Sequence, residues 1–136
     1  MYTGSCLCAA VQFEIKGHIN NIVHCHCSRC RKAQGSAFAT NGIVKGSDFK
    51  ILSGKNKLTA YQSTPGQTKY FCMICGSPIM SKTESNTEEV RIRLGTVSSD
   101  IVERPTAHIF TTSKANWDEI TGDLPQYETY EPGRME

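Results

Sequence analysis

The stretch Cys72-Met73-Ile74-Cys75-Gly76 places two cysteines three residues apart, directly before a glycine. A tight turn of this length brings both sulfurs to one metal ion, and glycine adopts the positive φ that such a turn requires. Met73 and Ile74 offer no strong competing ligand. No βαβ pattern surrounds the pair, as it would in a redox Cys-x-x-Cys motif. We therefore predict that Cys72 and Cys75 bind a metal ion.

The five remaining cysteines form two further clusters, Cys6-x-Cys8 and Cys25-x-Cys27-x-x-Cys30. Seven cysteines cannot pair off completely within one chain. The first residues lack the basic and apolar segments of a secretory signal, so we expect a cytoplasmic location in which thiols stay reduced. All seven cysteines are therefore predicted to be metal ligands.

Clusters of two, three and two cysteines predict one four-thiolate site and one three-thiolate site. Four thiolates close the coordination of zinc, as in structural sites, whereas three protein ligands leave a position open, as in catalytic sites. Spacing alone does not say which pairs combine. Four histidines provide the alternative, since any of them would close the second site: His18, His24, His26 and His108.

Basic residues lie within the three-cysteine cluster, at Arg29, and directly after it, at Arg31 and Lys32. Their charge would offset the thiolates and attract an anionic thiol, and Lys69 is a further candidate for binding carboxylates. The simpler interpretation is that Arg31 and Lys32 are a solvent-exposed basic pair without a binding role. We predict that Trp117 anchors the core.

The rest of the chain predicts a mainly β domain. Short β-prone segments separated by Gly, Ser, Pro and Asn occur at 11–15, 36–44, 49–52, 58–61, 68–71, 79–82, 90–94 and 108–112. Asn41-Gly42 indicates a hairpin turn or bulge. Residues 113–120 are the best candidate for a helix, with Ser113 as its N-cap. From Tyr127 onward we expect a fraying tail.

Length and charge limit the possible functions. A chain of 136 residues is one domain. Fifteen Lys and Arg against thirteen Asp and Glu give a net charge of +2, too small for the basic stripe of a duplex DNA binder. No stretch has the roughly 18 apolar residues needed to span a bilayer. We therefore expect neither a nucleic acid nor a membrane as partner.

Three ordered motifs give the chain a family resemblance. Gly4-Ser5-Cys6-Leu7-Cys8, the run from Cys25 to Lys32, and Phe71-Cys72-x-x-Cys75-Gly76-Ser77 resemble the signature of the glutathione-dependent formaldehyde-activating enzyme family, which includes centromere protein V. Residues 108–117 and 123–127 are similar to the C-terminal half of that family.

The resemblance implies a fold and a pair of zinc ions. The family's fold is the Mss4-like β-tent, several small antiparallel sheets around zinc with at most one or two short helices. It would occupy residues 1–127, leaving 128–136 as a C-terminal tail. The resemblance assigns the structural zinc to Cys6, Cys8, Cys72 and Cys75, and the catalytic zinc to Cys25, Cys27 and Cys30.

The resemblance also implies an activity. The family's named enzyme joins glutathione and formaldehyde into S-(hydroxymethyl)glutathione and is classed as a carbon–sulfur lyase. The expected partners are a small thiol such as glutathione and an aldehyde. Two alternatives stay open: a carrier that binds thiols without catalysis, and a structural zinc module for protein interactions.

Overall fold

The computed structural model describes residues 1–134 and contains ten strands and one α-helix in that range. In chain order the elements are β1 (Tyr2–Ser5), β2 (Gln12–Ile15), β3 (Asn20–Cys25), α1 (Ser28–Gln34), β4 (Ala39–Lys45), β5 (Phe49–Ser53), β6 (Leu58–Thr64), β7 (Gln67–Cys72), β8 (Pro78–Thr83), β9 (Asn86–Arg93) and β10 (Ala107–Ile109). Short 3-10 turns lie at Gly46–Asp48, Lys55–Lys57, Leu94–Thr96 and Thr111–Ser113.

The strands form two sheets. The smaller sheet has the order β1-β2-β5, and the larger has the order β10-β3-β4-β9-β8-β7-β6. All neighbours are antiparallel except β10 and β3, which are parallel. The predicted mainly β class is confirmed. The more specific β-tent arrangement remains a prediction.

Alternating apolar residues form the larger core between the sheets. In β2, Phe13 and Ile15 are fully buried, whereas Gln12 is exposed, as the period of two predicts. They pack with Ile79 and Ile92 of the seven-stranded sheet. A second buried cluster around Val23, β10 and the start of α1 lies next to the three-cysteine cluster.

The predicted helix at 113–120 is wrong. A 3-10 turn ends at Ser113, and Lys114 Nζ then donates hydrogen bonds to the carbonyls of Ala115 and Asp118. Two turns of helix are too short to form without strong packing, and the lysine binds carbonyls that the helix would need. Trp117 is 70% exposed, so its assignment to the core is also wrong. Among the described residues, no helix is long and apolar enough to cross a membrane.

Asn41-Gly42 forms no hairpin turn, because both residues lie within β4 and pair regularly with β9. A register shift typical of a bulge does lie opposite Gly42, since Asn20 pairs with Ile43 and Val23 pairs with Asn41. A Cβ atom at Gly42 would lie 2.4 Å from Cγ2 of Ile19. The glycine therefore allows a close packing contact.

The expected fraying after Tyr127 is not seen in residues 127–134. The Tyr127 amide donates to the His108 carbonyl at 2.9 Å, and the Phe110 amide donates to the Thr129 carbonyl at 3.1 Å. The rings of Phe110 and Tyr130 meet edge to face with centroids 4.9 Å apart. Residues 135–136 of the predicted tail lie outside the described residues, and the domain boundary at 127 stays a prediction.

Candidate metal centres

Four cysteines from two segments that are distant in sequence come together in the fold. Cys6 and Cys8 follow β1, whereas Cys72 ends β7 and Cys75 lies in the turn before β8. Their four sulfurs lie within 4.8 Å of one another. Cys8 Sγ is 3.6 Å from Cys6 Sγ and 3.8 Å from Cys72 Sγ. Tetrahedral zinc with Zn–S bonds near 2.3 Å requires about 3.8 Å between sulfurs, so this group fits zinc.

Hydrogen-bond donors surround these sulfurs as expected for thiolates. The Val11 amide donates to Cys6 Sγ at 3.2 Å, and the Ile74 amide donates to Cys72 Sγ at 3.4 Å. The Ser77 hydroxyl lies 3.3 Å from Cys75 Sγ, and this hydrogen bond is the main reason that the pKa of Cys75 falls to about 5. Donors of this kind stabilise the charged sulfur that a metal needs.

The two backbone turns that carry these cysteines differ in the residue that adopts a positive φ. Gly76 has φ +79, as predicted for the Cys72–Cys75 turn. Gly4 lies in β1, before the turn, and is required there for space: a Cβ atom at Gly4 would lie 2.5 Å from the Thr96 carbonyl oxygen. The turn follows Cys6, where the Ala9 amide donates to the Cys6 carbonyl and Ala9 itself has φ +65.

The second cluster lies at the junction of β3 and α1. Cys25 ends β3, Cys27 is the N-cap of α1, and Cys30 is in the first helical turn. Their sulfurs also lie within 4.8 Å of one another. The Cys30 amide donates to Cys27 Sγ at 3.3 Å. Hydrogen bonds from the Cys25 and Cys30 thiols lower the pKa of Cys27, which favours the thiolate. The donor set again fits a thiophilic ion such as zinc.

The histidines do not complete this second group within the described residues. His26 is fully buried, and its Nε2 lies 2.9 Å from Nδ1 of His108. His24 Nδ1 is bonded to the Thr40 hydroxyl at 2.7 Å, and burial is the main cause that lowers the pKa of His24 to about 4. The His18 side chain is 82% exposed beside Glu103. Three protein ligands therefore remain, the number typical of an open site.

A cavity of about 100 Å³ adjoins the three cysteines, and its lining is cationic. Arg29, Lys69 and Arg93 line it, and none of the described lining residues is acidic. Arg93 is only 4% exposed, and its guanidinium donates one long hydrogen bond, of 3.5 Å, to Ser81. Burial lowers the pKa of Arg93, while the neighbouring cysteines, led by Cys30, oppose that shift. The arginine thus balances the negative charge of the cluster.

The structure places the sequence-predicted cations unevenly. Arg29 and Lys69 line the cysteine cavity, whereas Lys32 lines an adjacent one. Arg31 lines neither. Sequence reasoning missed Arg91 and Arg93, although the alternation in β9 gives a signal, because Val90 and Ile92 take one face and the two arginines take the other.

The sequence and the fold are similar to those of known proteins. The family model described as glutathione-dependent formaldehyde-activating enzyme matches residues 1–113. A protein of Aspergillus oryzae is 28% identical over 81 residues, covering 58% of this chain and 42% of that protein. A protein of Podospora anserina is 28% identical over 85 residues, covering 60% of this chain and 39% of that protein. Both carry the provisional name of a glutathione-dependent formaldehyde-activating enzyme. The match thus spans about two fifths of each relative.

A solved structure is also similar. The crystal structure of a Rhodobacter sphaeroides protein superposes with a TM-score of 0.62 at 27% identity, covering 74% of this chain and 91% of that one. The family match extends over most of the chain and includes all seven cysteines. The chain therefore belongs to the glutathione-dependent formaldehyde-activating enzyme family.

Proposed function

We propose that the protein is a zinc-dependent, cytoplasmic enzyme of the carbon–sulfur lyase type. It joins a thiol such as glutathione to an aldehyde such as formaldehyde, or catalyses the reverse reaction. The observation that carries this proposal is the three-cysteine group, whose sulfurs lie within 4.8 Å of one another beside a cavity lined by cations. The family membership supports the same reaction.

The two cysteine groups would have different roles. Cys6, Cys8, Cys72 and Cys75 would hold a structural zinc, because four thiolates leave no position for a substrate. Cys25, Cys27 and Cys30 would hold the catalytic zinc. Bound there, zinc would supply the Lewis acidity that keeps an incoming thiol deprotonated and nucleophilic.

Residues of the chain would then bind and orient the reactants. Three thiolates and a divalent ion sum to a charge of −1, whereas Lys69 and Arg93 add two positive charges at the cavity wall. Their excess positive charge would attract an anionic thiol. The same two groups would stabilise negative charge on the carbonyl oxygen while the carbon–sulfur bond forms.

The buried histidines would fix the geometry of the cysteine strand. The His26 amide donates to the Ile109 carbonyl at 3.0 Å, and its ring is bonded to His108 of the same strand, β10. These two hydrogen bonds connect the Cys25–Cys27 segment to β10. We propose positioning as their role, since neither histidine lines the cysteine cavity.

The direct test measures adduct formation and metal content together. Exchange NMR of glutathione and formaldehyde gives the rate of S-(hydroxymethyl)glutathione formation above the spontaneous rate. We expect Cys30→Ser to form the adduct only at the spontaneous rate and to lose one metal ion. Trp117→Ala, which alters an exposed residue, should retain the enzymatic rate and both metal ions. Unchanged turnover and metal content in Cys30→Ser would refute the proposal. Thiol binding with no increment in the unmodified protein would instead indicate a carrier.

A further inference from the structure

An apolar cavity lies beside the cysteine cavity. Its volume is about 560 Å³, and its walls include Tyr61, Phe71 and Pro78 of the sheet and Ala33 of α1. Arg29, Ser63, Lys69 and Arg93 line both this cavity and the cysteine cavity, so the two adjoin one another. None of the described residues that line the apolar cavity is acidic.

The strand register explains how the two cavities meet. Tyr61 of β6 lies directly opposite Lys69 of β7, and Lys69 lies opposite Ser81 of β8. Directly paired residues share one face of a sheet, so the aromatic ring and the ammonium group lie side by side. Phe71 lies two residues further along β7 and extends the same face. A ligand could thus contact Lys69 and the apolar wall together.

A polar cavity of about 290 Å³ also adjoins the cysteine cavity, and among the described residues it shares no lining residue with the apolar cavity. It shares Gln67, Ser81, Thr83 and Arg91 with the cysteine cavity, a set of amide, hydroxyl and guanidinium groups. Such groups suit the carboxylates and amides of a peptide-like thiol, and Glu89, an acidic residue of the same lining, suits its ammonium group. The cysteine cavity therefore adjoins both a polar recess and an apolar one.

The apolar recess is far larger than a one-carbon aldehyde needs. Small-molecule sites span about 300–1,000 Å³, and a cavity of about 150 Å³ already holds benzene. Formaldehyde would leave apolar walls in contact with water, so the walls would add nothing to its binding. An apolar substituent on the carbonyl carbon would bury that surface.

We propose that the carbonyl compound handled by this chain carries an apolar substituent about the size of a phenyl ring, which lies in the recess of Ala33, Tyr61, Phe71 and Pro78. The thiol then lies on the polar side. This inference rests on the proposed function and specifies its electrophile.

The chemistry balances without a further reactant. In the forward direction the sulfur–carbon bond forms as the π bond of the carbonyl breaks. The thiol loses its proton, and the carbonyl oxygen gains one. No group is oxidised or reduced, and the reverse reaction returns thiol and aldehyde.

The test compares two stable thioether mimics of the adduct, S-benzylglutathione and S-methylglutathione, by calorimetry on the metal-containing protein. We expect the benzyl compound to bind about ten-fold or more tightly because its ring fills the apolar recess. Ala33→Trp would fill that recess from the exposed face of α1. It should reduce benzyl affinity about ten-fold and leave methyl affinity within about two-fold. Trp117→Ala is the matched surface control, since Trp117 is exposed and lines neither cavity.

The outcomes separate this inference from the proposed function. Equal affinity for both mimics, or an Ala33→Trp variant that binds the benzyl compound normally, overturns the inference and leaves the thiol-adduct reaction standing. If neither mimic and no free glutathione binds, the proposed function fails and the inference fails with it. Tyr61→Ala provides a second test of the recess, because Tyr61 is 63% exposed on an edge strand and its replacement should leave the fold intact. This variant should also bind the benzyl compound more weakly than the parent protein does, and normal benzyl binding would overturn the inference.

Discussion

At the scale of single residues, Arg93 shows how this chain places charge beside sulfur. Its side chain is buried, and a buried guanidinium is costly unless an anion lies nearby. The cluster of Cys25, Cys27 and Cys30 provides that anion, since the pKa of Cys27 is lowered, so the arginine and the cysteine cluster stabilise one another. The same guanidinium lines the cavity where a substrate would react.

Replacing Arg93 therefore tests the role of this charge. We expect Arg93→Met to lower kcat/KM for adduct formation about 100-fold, because one electrostatic contact to the reacting oxygen is lost. Arg93→Lys should recover part of that loss. Steady-state kinetics compares kcat/KM of the parent protein and the two variants, and metal analysis checks that each contains the same amount of metal. Equal rates for the Met and Lys variants, at full metal content, would exclude a role for the positive charge.

A second residue-scale prediction concerns Glu103. The Tyr2 hydroxyl donates to its carboxylate, and this hydrogen bond is the main cause of its lowered pKa, with His18 Nδ1 at 3.1 Å as a further partner. A carboxyl whose pKa is lower in the folded state adds stability above its unfolded pKa and loses it as pH falls through the folded value.

The Glu103→Gln variant should therefore be less stable than the parent protein at about pH 7, and this difference should shrink toward about pH 3. Urea unfolding of both proteins across this range measures it. Loss of metal in acid affects both proteins and cancels in the comparison. A stability difference that stays constant with pH would show that Glu103 contributes through packing alone.

At the scale of elements, the segment after β10 completes the wall of the cysteine cavity. Phe110 has a positive φ of 55°, a conformation that is strained for an aromatic residue. Its ring contacts Tyr130, and both residues line the cavity. The contact with Tyr130 helps to hold Phe110 in place.

Removing the Tyr130 ring should loosen this segment. We expect Tyr130→Ala to reduce the free energy of unfolding by about 1 kcal/mol through the lost aromatic contact. Amide exchange should become faster at residues 127–134 and stay unchanged in β7 and β8. If exchange in 127–134 is already fast in the parent protein, the segment does not form this wall.

Sequence patterns predicted the secondary structure only where residues near in sequence determine it. The strand around Phe13 alternates clearly and was predictable, whereas β8 has two consecutive buried residues, Ile79 and Met80. Helix α1 was not predictable, because it has only seven residues and its N-cap is a cysteine side chain. The interpretation of Asn41-Gly42 as a turn failed because Gly42 is needed for its close packing against Ile19, a tertiary contact that the local sequence does not show.

At the scale of the whole molecule, the two cysteine groups lie in different structural settings. The group of Cys6, Cys8, Cys72 and Cys75 connects the segment after β1 to the β7–β8 turn, and so joins the two sheets. The group of Cys25, Cys27 and Cys30 joins nearby residues and adjoins a cavity. The four-plus-three division was predictable from cysteine count. Of the surrounding cations, Arg29 and Lys69 were candidates from the sequence. Arg91 and Arg93 were not, because α1, β7 and β9 bring these four residues together only in the fold.

Native mass spectrometry of the protein purified without chelators tests the division into a closed and an open zinc site. We predict two zinc ions per chain, one in Cys30→Ala, and a glutathione adduct on the two-zinc form alone. Two zinc ions retained in Cys30→Ala, or glutathione bound equally to both forms, would contradict an open thiol site at Cys25, Cys27 and Cys30.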